Sequence, residues 1–386
     1  MERIRSERII LRDRVFDGYI YFEDGKIKDI TEKDHPVSRE YDLRGYYVSA
    51  GFIDIHTHGG GGNAFEATVD EIVEGCNFHL KHGTTSICPT VSAAEIGSME
   101  RSLQNIKKAM SDSRVKSNII GSHLEGPYLS WKQAGAQCAD FITAPVESNY
   151  MPLLRKYGDI IARWTYAPEN DEGERFAKAL KAYGVVASAG HTDAIYSDMA
   201  RAMENGCRLV THLYSCTSTV TRDHGFRRLG VIETAFLEDS LCVEIICDGK
   251  HLPPELIKLI YKIKGADRIA LVTDSLSLTG TDKTHGFMQA TEFIIEDGVC
   301  KLVDRSAFAG SVATADRLVR VAVKDAEIPI VDAVKMITET PAEIMGLSDK
   351  GRLEIGADAD LVAFDGDINV KKVFVGGRLS VDFWKN

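Results

Sequence analysis

The sequence predicts an α/β protein: a closed (β/α)8 (TIM) barrel, flanked by a small β-sandwich domain that both termini build. Three observations lead to this prediction. Over roughly residues 50–350, short apolar strands alternate with helical stretches, which is the pattern of a parallel sheet covered by helices. Both ends of the chain instead carry short strands separated by tight turns. A length of 386 residues is enough for one large domain and a smaller one.

The two ends of the chain are predicted to form one domain together. Asp24-Gly25 lies between two apolar runs near the N-terminus, and this dipeptide is typical of a two-residue hairpin turn. The C-terminal part has a similar composition, with a turn at Asp365-Gly366. The predicted strands of these ends are 9–11, 18–22, 360–364 and 373–378. We therefore assign residues 1–49 and 351–386 to the small β domain.

The barrel is assigned to residues 50–350. Its candidate strands are short apolar runs at 85–88, 119–124, 185–189, 209–212, 243–247 and 269–273. Helical patterns lie between them, at 95–110, 174–183, 194–205 and 253–263. In a barrel of this kind the C-terminal ends of all strands form one rim, where active sites are built.

Composition and charge exclude several classes of protein. The net charge of −11, without a basic run, argues against nucleic-acid binding. No stretch approaches the ~18 apolar residues that a membrane helix needs, so no membrane partner is expected. The eight cysteines form no Cys-x-x-Cys pair, which is typical of reduced, buried thiols. These features predict a cytoplasmic enzyme.

His56 and His58 are the most informative pair of residues in the chain. They follow an apolar stretch and stand directly before four glycines at 59–62. Because successive strand side chains point to opposite faces, these two imidazoles project to the same side. Two neutral imidazoles at one strand end suit a metal such as zinc or ferrous iron. A bare pair of this kind is explained equally well as two solvated histidines, so the rest of the chain decides.

Further side chains suited to metal binding and proton transfer follow other predicted strands, and the barrel rim would bring them together. They are His123, Glu125, His191, His212, His251 and Asp274. A metal at such a site lowers the pKa of its water from ~15.7 to about 7. Glu125 is placed to bridge two metals. Asp274 is placed to take the proton of the attacking water and return it to the leaving group.

Seven short segments resemble the amidohydrolase superfamily and, within it, the deacetylases of N-acetylated amino-sugar 6-phosphates. They are Gly-Phe-Ile-Asp-Ile-His-Thr-His-Gly at 51–59, His-Leu-Glu-Gly-Pro-Tyr at 123–128, Ala-Gly-His-Thr at 189–192, Thr-His-Leu-Tyr at 211–214, Asp-Gly-Lys-His at 248–251, Leu-Val-Thr-Asp at 271–274 and Ala-Gly-Ser at 309–311. They span nearly the whole chain in the order of the family. The second and fifth segments are specific to this branch, whereas His-x-His alone is a weak signal.

The resemblance implies a role for each matching residue. The implied metal ligands are Glu125, His191 and His212, with His56 and His58 matching the second metal site of two-metal members and Asp274 lying near that metal. The cofactor would be one or two divalent ions per chain, zinc or iron. Asp274 also matches the catalytic acid/base. The implied substrate contacts are Ala136, Gln137, Asp248 and His251, with Phe308, Ala309 and Gly310 in a loop that closes over the substrate.

The resemblance also implies a homodimer in which a basic residue reaches the substrate of the neighbouring subunit. Arg222 is the candidate, and it also lies near the position of the family's phosphate-binding arginine. Arg227 and Arg228 are close enough in the sequence to compete for this role. Each of the three is explained equally well as solvated surface charge.

One segment departs from the family. After residues 211–214 the family usually has Asn-Ala-Met, which holds the sugar phosphate, whereas this chain has Ser215-Cys216-Thr217. Ser215 can still donate to a phosphate, and Cys216 is expected beside the substrate or as a small buried hydrophobe. We therefore expect a deacetylase that requires a 6-phosphate. N-acetylglucosamine-6-phosphate is the expected substrate, and the alternative is N-acetylgalactosamine-6-phosphate or another N-acylated amino-sugar phosphate.

Two rival functions are weaker. Hydantoinase or dihydroorotase chemistry uses a modified lysine between the metals, and no lysine stands at a matching strand end, whereas Glu125 does. A non-catalytic sugar-phosphate sensor on the same fold would be favoured by loss of Asp274 or of a metal ligand, and all of these residues are present.

Overall fold

The computed structural model describes residues 1–384 and centres on eight parallel strands that follow one another around a barrel. These strands, counted in chain order below, are Phe52–Thr57, Thr84–Ser92, Ser122–Glu125, Ile161–Tyr166, Val186–Ala189, Cys207–Val210, Cys242–Ile245 and Ile269–Leu271. Each pairs in parallel with the next. Just beyond the first and eighth strands, the amide of Asp274 donates to the carbonyl of His56, and that of His58 to Ser275, both at 2.9 Å. These bonds bring the two ends of the sheet together, and the predicted fold class is confirmed.

Within residues 1–384, ten α-helices accompany the strands. They are α1 Val69–Leu80, α2 Ile96–Ala109, α3 Glu147–Tyr157, α4 Arg175–Ala182, α5 Tyr196–Glu204, α6 Val231–Leu237, α7 Pro254–Lys264, α8 Ala315–Lys324, α9 Ile330–Lys335 and α10 Glu339–Met345. Short 3₁₀ turns add Trp131–Gln133, Ala139–Phe141, Pro168–Asn170, Glu172–Glu174 and Ala266–Arg268. The four predicted helices correspond to α2, α4, α5 and α7, and their ends agree to within two residues.

The fourth barrel strand, Ile161–Tyr166, was not among the predicted strands. Its third residue is Arg163, which is completely buried inside the barrel. A charged residue in the middle of a short strand weakens the apolar signal that sequence patterns rely on. The interior of this barrel is partly polar, and for this reason the strand was not recognised from apolar patterns in the sequence.

Both termini contribute to a second, eight-stranded sheet. Its strands are Glu2–Ile10, Val15–Glu23, Lys26–Thr31, Arg39–Asp42, Tyr47–Ala50, Leu361–Phe364, Val370–Val375 and Arg378–Asp382. Leu361 pairs with Ala50, so the C-terminal strands extend the N-terminal ones. The sheet has its own apolar cluster, which includes Ile4, Phe22 and Phe374.

The predicted turn at Asp24-Gly25 connects two strands of this sheet. Both residues have positive φ, 51° and 78°, as a type I′ hairpin turn requires. The division of the chain at 49/50 and 350/351 stays a prediction. Residues 385 and 386 of the predicted C-terminal segment lie outside the described residues.

A small antiparallel sheet follows the eighth barrel strand, and the sequence patterns did not predict it. Its four strands are His285–Met288, Thr291–Glu296, Val299–Leu302 and Phe308–Gly310. Two short hairpins pair Gly59–Gly60 with Asn63–Ala64 and Thr221–Asp223 with Phe226–Arg228, and Asn118–Ile119 pairs with the second barrel strand. Among residues 1–384, none of the helices is long and apolar enough to cross a membrane.

Candidate metal centre and active site

Six predicted residues meet at or just beyond the C-terminal ends of five barrel strands. They are His56, His58, Glu125, His191, His212 and Asp274, and each is at most 8% exposed. Three of them, His191, His212 and Asp274, have positive φ values of 47°, 28° and 46°. Non-glycine residues in this region carry backbone strain, and such strain concentrates at functional sites.

Glu125 stands at the centre of this group. Its Oε1 atom lies 3.0 Å from Nε2 of His212, 3.2 Å from Nε2 of His191 and 3.3 Å from Nε2 of His56. Its Oε2 atom lies 3.2 Å from Nε2 of His58. The carboxylate is therefore shared between two pairs of histidines, the arrangement expected of a bridging ligand.

Two overlapping groups of side chains could each hold a metal ion: His56 with His58 and Glu125, and Glu125 with His191 and His212. Nε2 of His56 is buried and has no hydrogen-bond partner within residues 1–384. The Nε2 atoms of His191 and His212 are only 3.1 Å apart. Imidazole nitrogens crowded around one carboxylate fit a divalent cation, and zinc and iron both accept this donor set.

Asp274 lies against the first pair of histidines. Its Oδ1 atom is 3.3 Å from Nε2 of His58 and 3.5 Å from Nε2 of His56. Burial alone would raise the pKa of Asp274, but the two imidazoles lower it below its ordinary value. Asp274 is therefore ionised, which is the state that a proton acceptor needs.

The same electrostatic balance acts on Glu125 and His58. Burial opposes charge on Glu125, yet the surrounding histidines hold its pKa well below the ordinary value. Burial also opposes charge on His58, but Asp274 and Glu125 raise its pKa to about 9. The two carboxylates thus attract positive charge into the pocket, and either a proton on His58 or a bound metal ion can supply it.

A buried ion pair beneath the centre orients its histidines. Glu244 accepts from Nδ1 of His56 at 3.2 Å and from the backbone amide of His212 at 3.3 Å, both through Oε2. Its other oxygen pairs with the guanidinium of Arg163. A carboxylate on Nδ1 fixes the tautomer of His56 so that Nε2 keeps its lone pair for a metal. Sequence reasoning missed Glu244 and Arg163, whose only signal was a charge inside a short strand.

Another of the predicted histidines, His123, lies in the barrel interior below the centre. Its Nδ1 and Nε2 atoms contact the hydroxyls of Thr90 and Thr165, at 3.1 and 2.7 Å. Burial and the nearby Arg163 lower the pKa of His123 well below its ordinary value. It is a neutral histidine held by hydroxyl groups.

A cavity of about 260 Å³ opens above the centre. Eight of the ten predicted substrate contacts line it: Ala136, Gln137, Ser215, Cys216, His251, Phe308, Ala309 and Gly310. Tyr214, Met288 and Ala307 also line it and were not predicted as contacts. Tyr214 lies in a segment that resembles the family, whereas Met288 comes from the small antiparallel sheet, which no sequence pattern indicated.

Asp248 does not line the cavity but lies directly behind His251. Its Oδ2 atom is 2.9 Å from Nδ1 of His251, and its Oδ1 accepts the backbone amides of Lys250 and His251 at 2.8 Å. The ring of His251 packs edge-on against Phe308, with centroids 5.0 Å apart. Asp248 therefore orients His251, which leaves Nε2 of that ring for a ligand.

Arg222 is the other predicted contact that lies outside the cavity wall. It stands on the exposed hairpin formed by Thr221–Asp223 and Phe226–Arg228. Arg222 is directly opposite Arg227 across this hairpin. Within the described part of the chain Arg222 makes no ion pair, whereas Arg228 pairs with Asp223.

A larger cleft of about 780 Å³ lies beside the terminal sheet. Its two lysines are paired with its aspartates: Lys26 with Asp358, and Lys350 with Asp358 and Asp360, at 2.7–2.8 Å. It contains none of the six residues of the centre. The smaller cavity above Glu125 is therefore the candidate active site.

The chain belongs to the amidohydrolase family, whose model matches residues 47–380. Among similar proteins is an N-acetylglucosamine-6-phosphate deacetylase of Bacillus subtilis, 31% identical over 98% of this chain and 96% of its own length. An N-acetylgalactosamine-6-phosphate deacetylase of a Shewanella species is 32% identical over 88% and 84%.

A solved structure shares the whole architecture. It is a variant of the N-acetyl-D-glucosamine-6-phosphate deacetylase of Mycobacterium smegmatis in complex with N-acetyl-D-glucosamine-6-phosphate. It superposes with a TM-score of 0.91 at 27% identity, and the match covers 98% of this chain and 99% of that one.

Proposed function

We propose that the protein is a metal-dependent N-acetylglucosamine-6-phosphate deacetylase, which hydrolyses the acetamide to give glucosamine-6-phosphate and acetate. The observation that carries this proposal is the carboxylate of Glu125, shared between two histidine pairs at the floor of a cavity, with ionised Asp274 beside it. Relatives of that activity match the chain over nearly its full length.

The cofactor is proposed to be two divalent ions per chain, zinc or iron. Glu125, His191 and His212 would hold one, and His56, His58 and Glu125 the other, with Asp274 beside the second. When bound, a divalent ion supplies Lewis-acid chemistry: it polarises a carbonyl oxygen and lowers the pKa of water.

Asp274 is proposed to carry the proton through the reaction. Its carboxylate accepts the proton of the water that attacks the acetamide carbon. It then gives that proton to the amide nitrogen as the carbon–nitrogen bond breaks, which forms the amine and acetic acid and returns Asp274 to its ionised form. The proton of the acetic acid passes to the amine or to solvent, so that acetate is released. His251, held by Asp248, presents Nε2 to the sugar or its phosphate. The carbonyl oxygen and the sugar would fill the cavity under Phe308.

The phosphate of the substrate is proposed to accept a hydrogen bond from the hydroxyl of Ser215 and to pair with the guanidinium of Arg222. Ser215 lies at the cavity wall, at the position where the family usually has an asparagine amide. A hydroxyl is shorter than an amide, so the pocket around the sugar has a different shape. The galacto epimer is therefore the second candidate substrate, and it is what the Shewanella relative acts on.

We further propose a homodimer in which the exposed hairpin reaches the neighbouring subunit. Phe226 at its tip is 78% exposed, and Arg222 faces Arg227 across the strands. Like charges directly opposite each other destabilise a hairpin in isolation. An anionic group from the second subunit's site, such as a sugar phosphate, would offset this repulsion.

A cytoplasmic location is proposed as well. All eight cysteines are free thiols, six of them buried, as is usual in a reducing compartment.

The proposal also divides the chain into two domains. Residues 1–49 and 351–386 form the small β domain, and residues 50–350 form the barrel domain.

The test is an acetate-release assay on a panel of four sugars: N-acetylglucosamine-6-phosphate, its galacto epimer and the two unphosphorylated sugars. We expect turnover only with a 6-phosphate, because a site built around a polar substrate group rejects analogues that lack it by up to ~10⁴–10⁵-fold. Equal rates with and without phosphate would contradict the phosphate requirement. Absence of acetate from all four, in metal-loaded protein, would contradict the deacetylase.

A further inference from the structure

Gln137 is bonded to a metal-binding carboxylate. It belongs to the loop after the third barrel strand, and only 6% of the residue is exposed. Its Nε2 atom donates to Oε2 of Glu125 at 2.7 Å. Its Oε1 atom accepts the backbone amide of Ala93 at 2.9 Å, just beyond the second barrel strand. The amide of Ala93 can only donate, so the side chain of Gln137 has one orientation, with its NH₂ group toward Glu125.

This hydrogen bond distinguishes the two oxygens of Glu125. Oε1 lies among His56, His191 and His212, whereas Oε2 lies between His58 and Gln137. Rotation of the carboxyl group about its terminal bond would exchange these surroundings, and terminal carboxyl torsions have broad, shallow minima. A short hydrogen bond from a buried, fixed amide removes that freedom.

We infer that Gln137 is a positioning residue: it holds Glu125 in the orientation that serves both histidine pairs. It acts on the metal centre through Glu125, beyond any contact with the substrate that the family resemblance implies. Each carboxylate oxygen has two lone pairs, so Oε2 can accept from Gln137 and still face a metal beside His58. Partners of metal ligands typically contribute 10–100-fold to metal affinity, and this contribution falls mainly on the group that contains His58.

The experiment compares Gln137→Met with a matched change in the same loop. Methionine has a similar length and volume but no N–H donor. The control is Lys132→Met, which removes the loop's outer ion pair with Asp193 at 2.8 Å and leaves the cavity untouched. Zinc dissociation constants are measured for the wild type and both variants by competition with a chromophoric chelator, and thermal melting checks that each variant folds.

We expect Gln137→Met to weaken at least one of the two zinc dissociation constants by 10–100-fold, while Lys132→Met leaves both constants unchanged. If the wild type binds a single zinc, that one constant is compared, because Glu125 belongs to both groups. Unchanged zinc affinity in a folded Gln137→Met protein would overturn the inference. So would equal weakening in Lys132→Met, since that would assign the effect to loosening of the loop.

The kinetic part of the test rests on the proposed function. With zinc at saturating concentration, we expect Gln137→Met to regain the activity that it loses at limiting zinc, while any lost contact with the substrate remains as a raised KM. A raised KM with normal zinc binding would instead make Gln137 a substrate contact only and overturn the inference. If no protein, including the wild type, releases acetate, the proposed function fails, whereas the zinc constants still decide the role of Gln137.

Discussion

At the scale of single residues, the site depends on two carboxylates that are buried yet ionised. Glu125 and Asp274 lie within 3.0–3.5 Å of imidazole nitrogens, which keep their pKa values low despite burial. Their roles differ because of their surroundings. Both border the cavity. The side chain of Glu125 is only 2% exposed and is enclosed by histidines and Gln137, whereas that of Asp274 is 12% exposed and can exchange a proton with substrate.

Replacement of Asp274 tests this division. Asp274→Asn should retain bound metal but lose ~10²–10⁴-fold in kcat, because positioned proton transfer contributes that much and an amide cannot accept the proton. Metal content by elemental analysis and kcat by acetate release are measured on the same preparation. Near-normal kcat would show that another group is the acid/base, and loss of metal would show that Asp274 is mainly a ligand.

The side chains that meet around Glu125 were predictable from the sequence, but the residues that support them were not. His56, Glu125 and His212 each stand where an apolar strand ends, and this position can be recognised in a linear sequence. Gln137 meets Glu125 only because a twelve-residue loop turns back over the third strand. Glu244 reaches His56 from a strand 188 residues away. Contacts of this kind depend on the closure of the barrel, which no local pattern encodes.

At the scale of elements, the fourth and seventh barrel strands are joined by the buried pair of Arg163 and Glu244. The guanidinium also donates to Ser188 and Thr211 on the fifth strand and just beyond the sixth, both at 3.1 Å. One side chain thus links four neighbouring strands below the metal centre. Burial of both ions in such a network costs desolvation free energy, and removal of only one of them leaves the other charge buried without a partner.

Arg163→Met should therefore destabilise the protein by about 3–5 kcal/mol, since it leaves Glu244 as an uncompensated buried charge. The double variant Arg163→Met/Glu244→Leu should recover most of this loss, because it removes both charges. Urea unfolding of the three proteins gives the free energies of unfolding. Equal destabilisation in the single and double variants would mean that packing, and not charge, is responsible.

Loss of Glu244 should lower the zinc affinity even where it restores the free energy of unfolding. The double variant lacks the acceptor for Nδ1 of His56, so its zinc affinity should stay reduced even where its stability recovers.

The elements that sequence patterns identified well have a regular period and ordinary chemistry. Helix α2 and the hairpin turn at Asp24-Gly25 are examples, because helical spacing and a turn dipeptide are local signals. The small antiparallel sheet from His285 to Gly310 was missed, since short hairpins inserted in an α/β chain do not disturb its overall alternation. This sheet supplies Met288 to the cavity wall, which sequence reasoning missed. Phe308, which the family resemblance did indicate, lies on the last strand of this sheet and not in a loop.

At the scale of the whole molecule, the exposed hairpin is the candidate contact between subunits. Phe226→Asp should convert a dimer to a monomer, because a charge would be buried at the tip of the hairpin. Ile355→Asp is the control: it places the same charge on a residue that is 70% exposed on another face. Sedimentation analysis of the wild type and both variants measures the outcome. A monomeric wild type would contradict the homodimer, and a dimeric Phe226→Asp would exclude the hairpin.

Metal content tests the centre as a property of the whole fold. Protein purified without chelator should contain close to two divalent ions per chain. Removal of metal should lower the melting temperature, because a ligand at 1,000 times its Kd stabilises the native state by about 4 kcal/mol. A stable content of one ion per chain with full activity would contradict the two-metal site, and His56 and His58 would then not be needed as ligands of a second ion.

The pairing of Leu361–Phe364 with Tyr47–Ala50 has a consequence for how the protein is made. The N-terminal strands leave the ribosome first, but the edge formed by Tyr47–Ala50 stays open until more than 300 further residues have been synthesised. An open edge of this kind is a template for pairing with other chains. Only a chain that extends through Phe364 covers this edge, and the ring of Phe364 joins the apolar core in the same step. A chain that ends before residue 361 therefore leaves this strand edge exposed, and the edge can then be bound by folding factors or can pair with other chains and aggregate.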